Sequence, residues 1–260
     1  MAESRARTDW IGFKTIIIRE FSRIVRIWGQ TLVPPAVTAT LYFVIFGSLI
    51  GRRVGQIGGY DYMQFMAPGI IMMNVITTSF GNVVSSFFGA KFGKHIEELL
   101  VSPLPNWLIV AGYTMGGVLR GVLVGAVVTI ISLFFTKLSI THVLAIVTAA
   151  FLTSVIFALG GFINALFAKN FDQISWFPTF VLQPLTYLGG VFYSVTMLPG
   201  WARIASNANP ILYMVSAFRF GFLGTSDVDL RLAYAIMISA AVVMFTLAVT
   251  LMNRGTGIRE

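Results

Sequence analysis

The chain has 260 residues, of which 57% are hydrophobic and 11% charged, with a net charge of +8 and no cysteine. Ordinary soluble domains carry about 25% charged residues, so this composition excludes a water-soluble globular domain. The missing cysteine excludes disulfides and thiolate metal sites. A positive excess in so apolar a chain reads as anchoring at the cytoplasmic side of a membrane rather than nucleic-acid binding.

Residues 1–9 are polar and carry no cleavable signal pattern. After them Trp10, Phe13, Ile17, Phe21, Ile24 and Trp28 recur every three or four residues and make one narrow helical stripe. Arg19, Arg23 and Arg26 line the far side. This is the pattern of an amphipathic helix lying in the membrane interface, its basic face toward anionic lipid headgroups. A helix packed on another soluble domain gives a similar pattern; the tryptophans at both ends favour the interface.

Six stretches then approach the roughly 20 apolar residues that a crossing needs. They are residues 32–50, 63–88, 107–135, 142–167, 174–193 and 232–252. The first opens with Pro34 and Pro35, tolerated in a first helical turn. The second contains Pro68, and the fifth Pro178 and Pro184. A glycine-rich loop fills 51–61, tight turns fill 136–141 and 168–173, and a polar tail runs from 253 to 260. The expected fold class is an all-α integral membrane protein. It has six transmembrane helices, and residues 1–260 form a single domain.

Between the second and third stretches lies the most polar internal segment, residues 91–105. The spacing predicts a short helix over 92–101, stopped by Pro103. Phe92, Ile96, Leu99 and Leu100 fall on one stripe, and Lys94, His95, Glu97 and Glu98 fill the opposite arc. Such a helix lies flat on a membrane or docks on a partner; a solvated connector fits the pattern equally well.

Residues 194–224 are apolar but are cut at Asn207-Ala-Asn-Pro210. Asn209 reads as an N-cap and Pro210 as a first helical residue. Each half is too short to cross about 30 Å of hydrocarbon. Two re-entrant helices between the fifth and sixth spans fit better than two helices lying on the outer surface. With the N-terminus inside, the inner segments hold eleven Lys and Arg and the outer segments six. That asymmetry places both termini in the cytoplasm.

Reactive groups are scarce. Only two histidines exist, and no carboxylate is expected deep inside a span. No nucleophile–base pair or metal cluster is legible. The run from Gly89 to His95 fails as a phosphate loop, because its glycines are four apart and a histidine replaces the Ser/Thr. Arg120 is the one ionisable residue inside a span, read either as a substrate-path or interface residue or as a snorkelling side chain. Gly112, Gly116, Gly117, Gly121 and Gly125 give the third span small faces for close helix packing. Phe80, Phe87, Phe88, Phe157 and Phe162 read as lipid-facing or as the lining of an apolar path.

The layout resembles the permease subunit of type-2 ABC exporters, in particular the YadH-type bacterial permeases. Drug-resistance and nodulation-factor export permeases are wider relatives. The likeness runs over the whole chain. It is carried by Arg26-Ile-Trp-Gly-Gln-Thr-Leu-Val-Pro-Pro35, Tyr62-Met-Gln-Phe65 with Pro68-Gly69, and Ser85-Ser-Phe-Phe-Gly-Ala-Lys-Phe92. Ile96-Glu-Glu-Leu-Leu100 with Pro103 follows, then Pro184 to Tyr193, Asn209-Pro210, Tyr213 and Phe218 to Gly224. The Glu-Leu-Leu…Pro and Asn-Pro…Tyr…Arg runs are the specific pieces.

The resemblance implies a homodimer in a bacterial inner membrane, working with two copies of a separate ABC ATPase. ATP and Mg would bind that partner, with no cofactor on this chain. It implies ATPase contacts at the interfacial helix and around Ile96, Glu97, Glu98, Leu99, Leu100 and Pro103. It further implies an external gate around Trp201, Asn209, Pro210, Tyr213 and Arg219. The competing classes are a secondary transporter or channel, which ordinarily needs more mid-membrane ionisable groups, an intramembrane enzyme, which needs a catalytic constellation, and a membrane scaffold.

Overall fold

The computed structural model describes residues 2–257. Helix α1 (Ala2–Arg26) ends at Ile27, whose backbone leaves the helical region, and α2 (Trp28–Tyr42) begins at once. Pro34 and Pro35 lie inside α2, one turn later than a first-turn proline would sit. The helix continues as a wider, π-helical run, Phe43–Ile50, and a short α3 (Gly51–Val54). A small antiparallel hairpin follows, β1 (Gln56–Ile57) and β2 (Tyr60–Asp61). Gly58 and Gly59 both have positive φ there, as the tight two-residue turn demands.

Helix α4 (Tyr62–Phe92) is the centre of the bundle. It packs on α6 (Asn106–Ser132), α7 (Val143–Phe167) and α11 (Pro210–Leu223). Between α4 and α6 comes the short α5 (Ile96–Val101). Helix α1 packs along α6, and α12 (Leu230–Asn253) covers α7 and α11. The bundle therefore has a hairpin end and an α5 end. One core cluster gathers Met66, Ile70, Phe80 and Phe218 toward the hairpin end. A second gathers Ile16, Phe87, Ile96, Tyr113 and Phe162 toward the α5 end.

Close approach depends on the glycines of α6, which serve two seams. A Cβ on Gly112 or Gly116 would come within 2.7 Å of Ile16 or 2.8 Å of Glu20 on α1. On Gly117 it would come within 2.7 Å of Ala158 on α7 and of Val83 on α4. With side chains at those positions α6 could not nest against three helices at once.

Among the described residues five helices are long and apolar enough to cross a membrane: Trp28–Gly47, Tyr62–Phe92, Asn106–Ser132, Val143–Phe167 and Leu230–Asn253. The expected sixth, at residues 174–193, is reorganised. The chain is helical from Phe171 to Tyr187 only, as α8 (Phe171–Phe177), a π-helical turn (Pro178–Leu182) and α9 (Gln183–Tyr187). The cause is local. Pro178 has no N–H for the carbonyl of Ile174, and that carbonyl instead accepts from Asn164 Nδ2 of α7 at 3.1 Å. Pro184 removes a second backbone donor, and the helix stops at Tyr187.

Two other expectations change, and one burial outside the spans was not foreseen. The predicted helix over 92–101 is split: α4 runs through to Phe92, Lys94 takes a left-handed φ of 59°, and α5 starts only at Ile96. Phe80, Phe87, Phe88 and Phe162 are buried core residues rather than lipid-facing or path-lining ones, because α4 is enclosed by α6, α7 and α11. Finally, a carboxylate is buried: Glu20 is 1% exposed, against α4 and α6.

Candidate functional site

Three groups of residues carry the expected roles, at the α5 end, the hairpin end and the groove along α1. At the α5 end, Ile96 is 3% exposed and belongs to the core cluster that also holds Ile16 of α1 and Phe87 of α4. Leu99 is half-buried, whereas Glu97, Glu98, Leu100 and Pro103 are exposed. The apolar stripe predicted from Phe92 to Leu100 is thus anchored through Ile96, with Leu99 assisting. Phe92 and Leu100 leave it because the turn at residues 93–95 rotates α5 relative to α4. The turn is held from below. Lys91 Nζ donates to Leu166 O and Ala168 O, both at 2.7 Å, closing the carbonyl end of α7. Leu104 packs against Gly12, so α1 and the α5 loop share one surface.

Helix α1 shows a face that sequence reasoning missed. Of the predicted stripe only Ile24 is fully buried; Trp10 and Trp28 are each 64% exposed and Phe21 is exposed, with Phe13 and Ile17 in between. The buried line is Ile16, Glu20 and Ile24, spaced by four. The arginines do not form a free basic face either. Arg19 donates to the Tyr113 hydroxyl at 2.6 Å and stacks over its ring. Arg23 donates to Glu20 Oε2 at 3.2 Å and to Asn82 Oδ1 at 2.7 Å. Ser86 donates to Glu20 Oε1. Arg26, at the helix end, stands exposed. A buried carboxylate draws nearby cations inward, since an unpaired buried charge is costly. The signal was present: Glu20 is the one acid in the stretch from Trp10 to Tyr60.

Arg120 joins the same cluster. It donates to Asn82 Oδ1 at 3.4 Å, which sets its guanidinium against α4.

At the hairpin end, α10 (Gly200–Asn207) and α11 are two short helices broken at Ala208–Asn209 as the sequence indicated. Asn209 caps α11 by accepting from Ile211 N at 3.0 Å, and its Nδ2 donates to Leu185 O at 2.6 Å. Pro210 is the first helical residue. Tyr213 Oη donates back to Asn207 O at 2.9 Å across the break. Trp201 is 78% exposed on α10.

Arg219, 1% exposed, is the most enclosed cation described. Its Nε and guanidinium nitrogens donate to Phe65 O, to Gly190 O at 2.6 Å and to Asp227 Oδ2 at 3.2 Å, while the guanidinium lies 3.8 Å over the Phe65 ring. Asp227 also accepts from Ser194 at 2.8 Å. One arginine therefore ties α11, α4, the 188–199 segment and the 225–229 loop together.

This arrangement has an enclosed central helix, an exposed short helix on one end and paired short helices on the other. The sequence profile of the ABC-2 type transporter family matches residues 11–223. The chain belongs to the ABC-2 type transporter family. An ABC-2 chain works in membrane transport, and membership implies an ABC ATPase as a partner in general. Relatives agree. The inner membrane transport permease YadH of Escherichia coli (strain K12) is 52% identical over 96% of this chain and 98% of its own. Nodulation protein J of Rhizobium leguminosarum bv. trifolii is 26% identical over 82% of each chain. All three groups of residues above, Trp10 and Asp227 apart, fall within the stretch that matches the ABC-2 profile.

Proposed function

We propose that the chain is the membrane-spanning permease subunit of an ATP-driven exporter in a bacterial inner membrane. It lines the translocation path, and a separate ATPase subunit, two copies per homodimer, binds ATP and Mg. The observation that supports this most is α5. Two adjacent carboxylates, Glu97 and Glu98, stand exposed on a six-residue helix whose Ile96 is anchored in the core. A helix that must pass force across a subunit boundary needs that combination of grip inside and charge outside.

In this reading α1 shares the ATPase-facing surface through Leu104 and Gly12. Residues 171–187 are a sixth crossing, about 25 Å of helix at 1.5 Å per residue, which spans when flanked by its turns. Both termini are cytoplasmic, residues 1–260 are one domain, and α10 and α11 are re-entrant helices forming the external gate. The exposed apolar residues of α2 and α12, among them Val37, Val242 and Val243, face lipid.

The test is Glu97→Lys with Glu98→Lys. Exposed charges contribute at most about 1 kcal/mol to folding, so permease abundance in the membrane stays near wild type. Reversal of charges buried at an interface costs roughly 2–5 kcal/mol, so co-purification of the ATPase and transport both fall sharply. Normal co-purification and wild-type transport in the double variant would reduce α5 to a connector.

A further inference from the structure

The Arg23–Asn82–Arg120 cluster has more donors than acceptors. Its one carboxylate, Glu20, is used by Arg23 at 3.2 Å, Arg19 at 3.7 Å and Ser86. Asn82 Oδ1 receives both arginines. That fixes the amide's orientation, since the flipped form would set its NH2 against two guanidinium groups. Asn82 is fully buried, and its Nδ2 is left without an acceptor. Arg23 Nε, Arg120 Nε and the Thr31 hydroxyl are buried and unpartnered as well. Native proteins rarely leave one such group bare; here four surround one place. Among the described residues Arg120 has no carboxylate partner.

These side chains line one cavity of about 480 Å³ between α1, α2, α4 and α6. Pro34, Pro35 and Thr77 are shared with a second cleft of about 240 Å³, which extends to Tyr42, Met73 and Tyr187. One end of the combined groove is therefore cationic and donor-rich, and the other is apolar and aromatic. Arg120 stands near the middle of α6, about 21 Å from its start at 1.5 Å per residue. A cation held at that depth faces protein, water or a bound anion.

We infer that this cavity binds the anionic headgroup of an amphiphile, a phosphate or carboxylate oxyanion whose apolar part lies along α2 and α4 toward Tyr42. Arg120 and Arg23 supply charge-assisted hydrogen bonds, with Asn82 Nδ2 and Thr31 completing the shell. The inference rests on the cavity and on the membrane location of α4 and α6, and it is independent of ATPase docking.

The experiment uses the full-length permease purified in a neutral detergent, without an ATPase. Native mass spectrometry measures binding of dioleoyl phosphatidic acid, oleate, dioleoylglycerol and inorganic phosphate. Phosphatidic acid and oleate are expected to bind at least tenfold more tightly than dioleoylglycerol, with inorganic phosphate failing to displace them. Arg120→Gln should weaken the anionic amphiphiles at least tenfold, and Arg120→Lys by only a few-fold. Asn82→Asp supplies the site with its own anion. It should fold as well as wild type, since it meets two arginines, and should lose anionic-amphiphile binding, which keeps the idea testable if Arg120→Gln folds poorly. Wild-type affinity in Asn82→Asp overturns the proposal, as does equal binding of dioleoylglycerol. Displacement by millimolar inorganic phosphate reduces the cavity to a simple anion site and overturns the amphiphile.

Discussion

At the scale of single residues, burial separates anchors from contact surfaces on the same helix. Ile96 sits in the core while Leu100, four residues on, is 38% exposed. Ile96→Asp buries an uncompensated charge and should cost several kcal/mol, on the order of 3–5, read as a loss of folded, membrane-inserted protein. Leu100→Asp should leave that amount within about 0.5 kcal/mol of wild type, as surface changes usually do. Arg219 allows a second contrast. Its planar fork serves Gly190 O, Phe65 O and Asp227 at once, a geometry lysine lacks. Arg219→Leu strands the largely shielded Asp227 and two carbonyls, and should cost about 3–5 kcal/mol; Arg219→Lys should recover only part of this. Thermal unfolding in detergent ranks the two. Tyr213→Phe loses one partly exposed hydrogen bond and should cost about 1 kcal/mol.

At the scale of elements, the seam between α1 and α6 depends on Gly112 and Gly116, one turn apart. A leucine at Gly116 must displace the Glu20 side chain, which a Cβ alone would approach to 2.8 Å. Overpacking of this kind costs about 1–3 kcal/mol, and here it also breaks the Glu20–Arg23 pair. Gly116→Leu should therefore lower the unfolding temperature and expose α1 to limited proteolysis. Gly29→Ala, with nothing within 4 Å of the added methyl, should be neutral or slightly stabilising, by up to about 1 kcal/mol. The helix at 171–187 rests on a different device. Asn164 fills the donor gap that Pro178 leaves at Ile174. Asn164→Leu leaves that carbonyl unsatisfied, at about 1–3 kcal/mol, whereas adding Pro178→Ala returns an N–H to it. The double variant should recover stability lost in the single one, and a double-mutant cycle measures this.

At the scale of the whole molecule, orientation can be tested independently of any partner. The hairpin turn and the 225–229 loop lie at the same end of the bundle, tied through Tyr60 Oη to Leu223 O and Arg219 to Asp227. Reporter fusions at Gly55 and Asp227 should therefore report the same, external side, and a fusion at Glu260 the cytoplasmic side. An externally active fusion at Glu260 would leave an odd number of crossings and remove residues 171–187 from the membrane. Size measurement in detergent, with lipid retained, tests the homodimer: a strictly monomeric permease that still transports would exclude it.

Composition and run length by themselves determined the membrane class, four of the spans nearly to their ends, and the break at Asn209–Pro210. These are local properties: a crossing must be apolar for its whole length, and a proline after asparagine acts on its own turn. The polar motif around Glu97 and Glu98 was equally legible, because nothing else in so apolar a chain resembles it. What only the tertiary structure decided was which side of each helix meets protein. Trp10, Phe21 and Trp28 form as regular a stripe as Ile16, Glu20 and Ile24, and periodicity cannot choose between two stripes on one helix. The choice falls to Gly112 and Gly116, which open a seat on α6 that fits Ile16 and Glu20. Arg23, Asn82 and Arg120 come from three helices and lie far apart in sequence. Their meeting beside a buried carboxylate is a consequence of that seat, since cations and amides in a low-dielectric interior gather where each can satisfy another.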